Sequence, residues 1–137
     1  MLPNLQNQFG PFLPQTTGMM GQSLGALATL YAQTRPIGSC FGSAVCISLS
    51  SWYPNFLDYF FTHSELLSKK EWIFICGETE GLGHEDVKQF VTTYNQEIIE
   101  FLSQHPRTCH ITAHWDPGAH HENLPSRYQK AILSFFS

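Results

Sequence analysis

From Gly42 to the C-terminus the chain alternates short, unbroken apolar runs with longer amphipathic stretches. Ser43–Leu49 reads as a strand buried on both faces, because a continuous apolar run suits the interior of a parallel sheet. Glu71–Cys76 and Thr108–Ala113 read as two further strands. Helical patterns separate them. The first opens at Ser50 or Ser51 as N-cap, has Pro54 in its first turn, carries Phe56, Leu57, Phe60 and Phe61, and closes at Lys69-Lys70. The second, His84–Gln104, carries Val87, Phe90, Val91, Tyr94, Ile98, Phe101 and Leu102 in one stripe and is stopped by Pro106. A last helix, Ser126–Phe136, presents Tyr128, Ala131, Ile132 and Phe135. Strand and helix alternating in this way imply parallel strands joined by right-handed crossovers. The expected class is α/β: a small Rossmann-like three-layer sandwich with a parallel sheet of at least three strands.

The N-terminal region follows no such alternation. Pro3, Gly10, Pro11, Pro14 and Gly18 lie among Asn and Gln, which predicts an irregular arm. Leu24, Leu27, Ala28 and Tyr31 have helical spacing within Met19–Gln33, although Gly21 and Gly25 weaken that helix. Arg35-Pro36-Ile37-Gly38 ends it. The expected division is an arm with a short helix over residues 1–36 and a single α/β domain over 37–137.

Charge narrows the partners. Net charge is −4, and residues 1–57 carry one charged side chain, Arg35. A nucleic-acid binder would show a basic stripe, since phosphate neutralisation supplies most of its affinity; none is visible. The four cysteines contain no Cys-x-x-Cys pair, which favours a reducing compartment. No basic segment precedes Arg35, so a secretory leader is not expected. The apolar stretch 19–32 is broken by polar residues and too short to span a bilayer. A cytoplasmic protein without a membrane segment is the expectation.

Candidate chemistry gathers where strands end, because ligands of open α/β sheets bind outside the carboxyl ends of the strands. Ser48, Ser50 and Ser51 follow the first strand of the alternating region, where a hydroxyl meets unpaired helix N–H groups and can bind an anion or act as a nucleophile. Helix capping accounts for Ser50 or Ser51 equally well. That turn lacks the Gly-x-Ser-x-Gly elbow of hydrolases. Gly77, Glu78 and Glu80 follow the next strand and Asp116 the one after, placing carboxylates at the same end for acid–base work or for binding an amine or hydroxyls. Gly38–Ala44 resembles locally the nucleophile segment of papain-like proteases, but a strand rather than a helix follows Cys40. Cys109, His110, His114, His120 and His121 are dense enough for a metal site to be weighed. No standard spacing fits, so solvated loop histidines are expected, with no metal and no cofactor.

The run Cys46-Ile-Ser-Leu-Ser-Ser, then Trp72-Ile-Phe-Ile-Cys-Gly-Glu, Ile111-Thr-Ala-His-Trp-Asp and Pro125-Ser-Arg-Tyr-Gln-Lys-Ala-Ile-Leu resemble in order and spacing the N-terminal half of cyclodipeptide synthases. Those enzymes have a Rossmann-like domain similar to class I aminoacyl-tRNA synthetases and take an aminoacyl group from tRNA on a serine. The resemblance implies Ser48 as that serine, with Ser50, Ser51 and Tyr53 near an aminoacyl pocket. The family's Asn after the serine, its basic helix and its second half are missing. Two functions are expected: a small-ligand-binding or aminoacyl/acyl-transferase-like domain built on the serine turn, or a non-catalytic interaction or scaffold subunit. The second, as a homo-oligomer or with a protein partner, would bury the uncharged N-terminal segment and the apolar C-terminal end.

Overall fold

The computed structural model describes residues 2–137. A helix α1 (Leu2–Phe9) precedes strand β1 (Gly18–Gln22) and helix α2 (Leu24–Gln33). Three strand–helix units follow: β2 (Ser43–Ile47) and α3 (Phe56–Thr62), β3 (Lys70–Gly77) and α4 (Val91–Gln104), β4 (Thr108–Asp116) and α5 (Leu124–Phe136). The strands form one parallel sheet in the order β1-β2-β3-β4. The α/β sandwich expected from the alternation is therefore present, with four strands.

Period-two alternation along the central strands sorts their side chains onto two faces. Ala44, Cys46, Trp72, Phe74 and Cys76 point to one face, where Ala26 and Leu30 of α2, Phe56 and Phe60 of α3, and Ile98 and Leu102 of α4 cover them. Val45, Ile47, Ile73 and Ile75 point to the other, packed by Tyr128, Ala131 and Phe135 of α5. Every residue of β2 is buried. Edge strand β4 is largely half-buried or exposed.

The N-terminal region departs most from expectation. Met19 and its neighbours begin a strand rather than a helix, pairing residue for residue with β2 from Gly18↔Ser43 to Gln22↔Ile47. This segment contains no β-branched residue; an open edge of β2, not local propensity, makes it a strand. The arm likewise contains α1, and residues 18–34 join the sheet and its helical layer. The helix expected from Ser50 starts at Phe56 instead, after a turn in which Asn55 takes φ 61°. The helix expected from His84 starts at Val91, after a 3-10 turn, Val87–Phe90, capped by the Asp86 carboxylate on the Lys88 N–H at 2.9 Å.

Lys70, 1% exposed, pins the amino end of the sheet. Its Nζ donates to Gln33 Oε1 (2.7 Å) and to the carbonyls of Gly38 (3.1 Å) and Phe41 (3.2 Å). Burial without a carboxylate pushes the ammonium down to about 8. No helix among the described residues is long and apolar enough to cross a membrane.

Candidate active site

The first strand ends in a strained turn. Ser23 stands alone between β1 and α2 with φ 58° and ψ −121°. A non-glycine residue held there costs roughly 1–3 kcal/mol, which the surrounding structure must offset. Its neighbours complete Gly21-Gln22-Ser23-Leu24-Gly25, the Gly-x-Ser-x-Gly pattern that puts a serine on a sharp strand-to-helix turn. A Cβ at Gly21 would overlap the backbone of Gly25 and Ala26, so glycine is obligatory there; at Gly25 it would meet open space. The Ser23 N–H donates to the Ile47 carbonyl at 2.9 Å, tying the turn to β2.

From this turn a chain of hydrogen bonds crosses the carboxyl end of the sheet. Ser23 Oγ lies 2.8 Å from His120 Nε2, in the loop after β4. His120 Nδ1 lies 2.6 Å from Glu80 Oε2, in the turn after β3. The Glu80 side chain has no exposed surface and His120 is 19% exposed, so the relay runs from the interior to a cleft. A carboxylate only accepts, so His120 Nδ1 carries a hydrogen, and in the neutral imidazole Nε2 is then an acceptor facing the Ser23 hydroxyl.

Glu80 is held from behind as well. Its Oε1 accepts from the Gly77 N–H at 2.8 Å and from Arg127 Nη1 at 3.0 Å. Arg127, on α5 and fully buried, also grips Asp116 through Nε–Oδ2 (2.7 Å) and Nη2–Oδ1 (2.8 Å). Hydrogen bonds from Arg127 hold the Asp116 carboxyl well below the usual carboxylate range, with Asn123 and the Gly118 N–H adding to them against its burial. For Arg127 burial is the largest influence and opposes the charge. The bonds to Asp116 and the negative charges of Glu80 and Asp116 outweigh it and raise the guanidinium. The bidentate fork keeps this buried cation compensated. Cys76, beneath the site, is pushed well up by burial, with Glu80 adding to the effect.

The residues singled out from sequence are drawn to the same end of the sheet, in different roles. Ser48 is fully buried, and its Oγ accepts from Arg127 Nη1 at 2.6 Å, so it braces the guanidinium and faces no imidazole. Ser51 is buried too, donating to Asn95 Oδ1 at 2.6 Å. Neither Ser50 nor Ser51 caps α3, whose N-cap is Asn55. Tyr53 and Glu78 are exposed, and Gly77 and Asp116 belong to the brace around Glu80. Of the predicted set, Ser50 alone lies beside Ser23, their Oγ atoms 3.1 Å apart. No group of three or more His, Cys, Asp or Glu placed to hold a metal occurs among the described residues.

A cleft of about 190 Å³ opens on Ser23 and His120. Leu24, Trp52 and Val91 give it apolar walls, and Lys88, whose Nζ lies 4.9 Å from the Trp52 ring centroid, stands at its side with His84 and His121.

No family model matches the chain, and no curated protein matches it. Solved structures do. An IroE-like serine hydrolase from Shewanella oneidensis superposes with TM-score 0.75 at 16% identity, over 96% of this chain and 42% of that one. Siderophore hydrolase EstB from Aspergillus nidulans does so with TM-score 0.71 at 15% identity, over 98% and 53%. BES protein from Bacillus cereus gives TM-score 0.71 at 19% identity, over 97% and 49%. The fold is shared with serine hydrolases. This corrects the likeness to cyclodipeptide synthases: strand, serine and helix recur in many α/β sheets, and the serine that carried the likeness, Ser48, is bound to Arg127. The chain spans about half the length of the structures it matches.

Proposed function

We propose that the chain carries the nucleophile, base and acid of a serine hydrolase acting on carboxylic esters. The Ser23–His120–Glu80 relay, with the serine on the strained elbow, carries this reading. Ser23 Oγ attacks the ester carbonyl while His120 Nε2 takes its proton. The imidazolium then returns that proton to the leaving alkoxide, and the acyl-enzyme passes to water, or to another acceptor in an acyl transfer. Glu80 fixes the imidazole tautomer and offsets the charge that forms on it. Gly77 and Arg127 keep the Glu80 carboxylate from rotating away. The first N–H groups of α2, beginning at Leu24, lack intrahelical partners and lie next to the nucleophile, where a developing oxyanion needs donors. The names of two structural neighbours, a siderophore hydrolase and an IroE-like serine hydrolase, support the same chemistry.

Incubation with a fluorophosphonate, followed by intact mass and peptide mapping, tests the reading. One adduct on Ser23 is expected, lost in Ser23→Ala and slowed at least about 10³-fold in His120→Ala. An unlabelled wild type, or an adduct that persists in Ser23→Ala, overturns it.

One observation supports the interaction role beside this one. Among the described residues the outer edge of β1 is unpaired, and an apolar hollow formed by Met20, Val45, Ala131, Ile132 and Phe135 adjoins it. A strand edge next to apolar surface suits a covering chain. Light scattering of the purified chain is expected to show self-association that Met20→Lys reduces; a monomer at all concentrations removes this support. The cysteines are all unpaired, which supports the reducing, cytoplasmic setting read from the sequence.

A further inference from the structure

We infer that Ser50 is a second catalytic hydroxyl, one that donates to Ser23 Oγ at rest and to the oxyanion once the substrate is attacked. This rests on Ser23 being the nucleophile. Ser50 is 1% exposed, yet it lines the cleft, and its Oγ has one hydrogen-bond partner among the described residues, Ser23 Oγ at 3.1 Å. The backbone holds it in place: the Ser50 N–H donates to the Ser23 carbonyl at 3.3 Å. The two turns that follow β1 and β2 are thus joined by backbone and side chain at once.

Proton count gives the direction of the bond between the two hydroxyls. With Glu80 accepting from His120 Nδ1, the neutral imidazole has no hydrogen on Nε2, so the single Ser23 proton points to Nε2. Ser23 Oγ then has only lone pairs left for Ser50, and Ser50 must be the donor. A hydroxyl that receives such a bond keeps its own proton on the line to the base.

During attack the Ser23 proton passes to His120 Nε2, the Oγ–carbon bond forms, and the carbonyl π pair moves onto its oxygen. Oγ now becomes ester-like and a poor acceptor. The negative charge sits one carbon away, within the swing of the Ser50 O–H, which moves its hydrogen bond there without giving up the proton. An interaction stronger in the transition state than in the ground state accelerates the chemical step and leaves binding nearly untouched.

Ser50→Ala removes one oxygen and leaves the backbone bond intact. With a fluorophosphonate at varied concentration, the maximal rate of Ser23 phosphonylation is expected to fall about 10- to 100-fold. The half-saturating concentration and the melting temperature are expected to stay at their wild-type values. A maximal rate within about twofold of wild type overturns the inference, as does a loss confined to the half-saturating concentration. An unlabelled wild type instead overturns the hydrolase reading itself, and this inference with it.

Discussion

Two serines leave neighbouring parallel strands with positive φ, and their roles separate completely. Ser23 at the end of β1 has φ 58° and Ser48 after β2 has φ 48°. Both stand at carboxyl ends of strands, the place where α/β sheets bind ligands. Ser23 meets an imidazole on a cleft wall, whereas Ser48 meets a fully buried guanidinium. An imidazole can take a proton from a hydroxyl near neutral pH; a guanidinium has none of that capacity and only donates. The chemistry of a strand-end serine is therefore assigned by the partner that a distant loop or helix delivers. Here those partners come from 97 and 79 residues further along the chain.

Variants at the two places should behave differently. The largest stability effect is expected at Arg127. Its replacement by Met leaves Asp116 and Glu80 as buried carboxylates without a cation, at a cost of about 3–5 kcal/mol in urea unfolding. A loss below about 1 kcal/mol would show that the brace carries little load. The same network predicts an acid limb. Asp116 titrates lower in the folded chain than in the unfolded chain, so its stabilising contribution is complete above its ordinary pKa near 4. That contribution fades as pH falls toward the folded value, and the difference in stability between wild type and Asp116→Asn should shrink across that range. The smallest effect is expected at Ser48. Ser48→Ala takes one acceptor from Arg127 Nη1, which keeps Glu80 Oε1 at 3.0 Å. A cost of about 1–2 kcal/mol in stability follows, with labelling of Ser23 retained. Abolished labelling in a folded Ser48→Ala chain would collapse the distinction between the two serines.

Much of the framework was legible in the chain. The apolar runs at 43–49 and 71–76 identify strands because burial on both faces demands continuity, and 108–113 follows them as a third strand, at the sheet's edge. The end of the sheet that carries polar residues follows from parallel order alone. The relay was harder to read. The elbow motif at residues 21–25 is explicit, but its glycines also read as flaws in a helix, and Gly18–Gln22 has no strand-forming side chain to reveal the context the motif requires. Glu78 and Glu80 are near-equivalent in sequence. Only the turn after β3 buries Glu80 against His120 and leaves Glu78 in solvent.

The amino-acid sequence by itself determined the α/β class, the parallel sheet and the end of the sheet where polar groups collect. Those depend on periodicity and local sterics, which a linear pattern records. Tertiary structure decided that Gly18–Gln22 is a strand, that Ser23 faces the imidazole while Ser48 faces Arg127, and that Ser50 lies against Ser23. Each of these depends on contacts between residues far apart in the chain, whose distance and burial are set only when the sheet has closed on its helices.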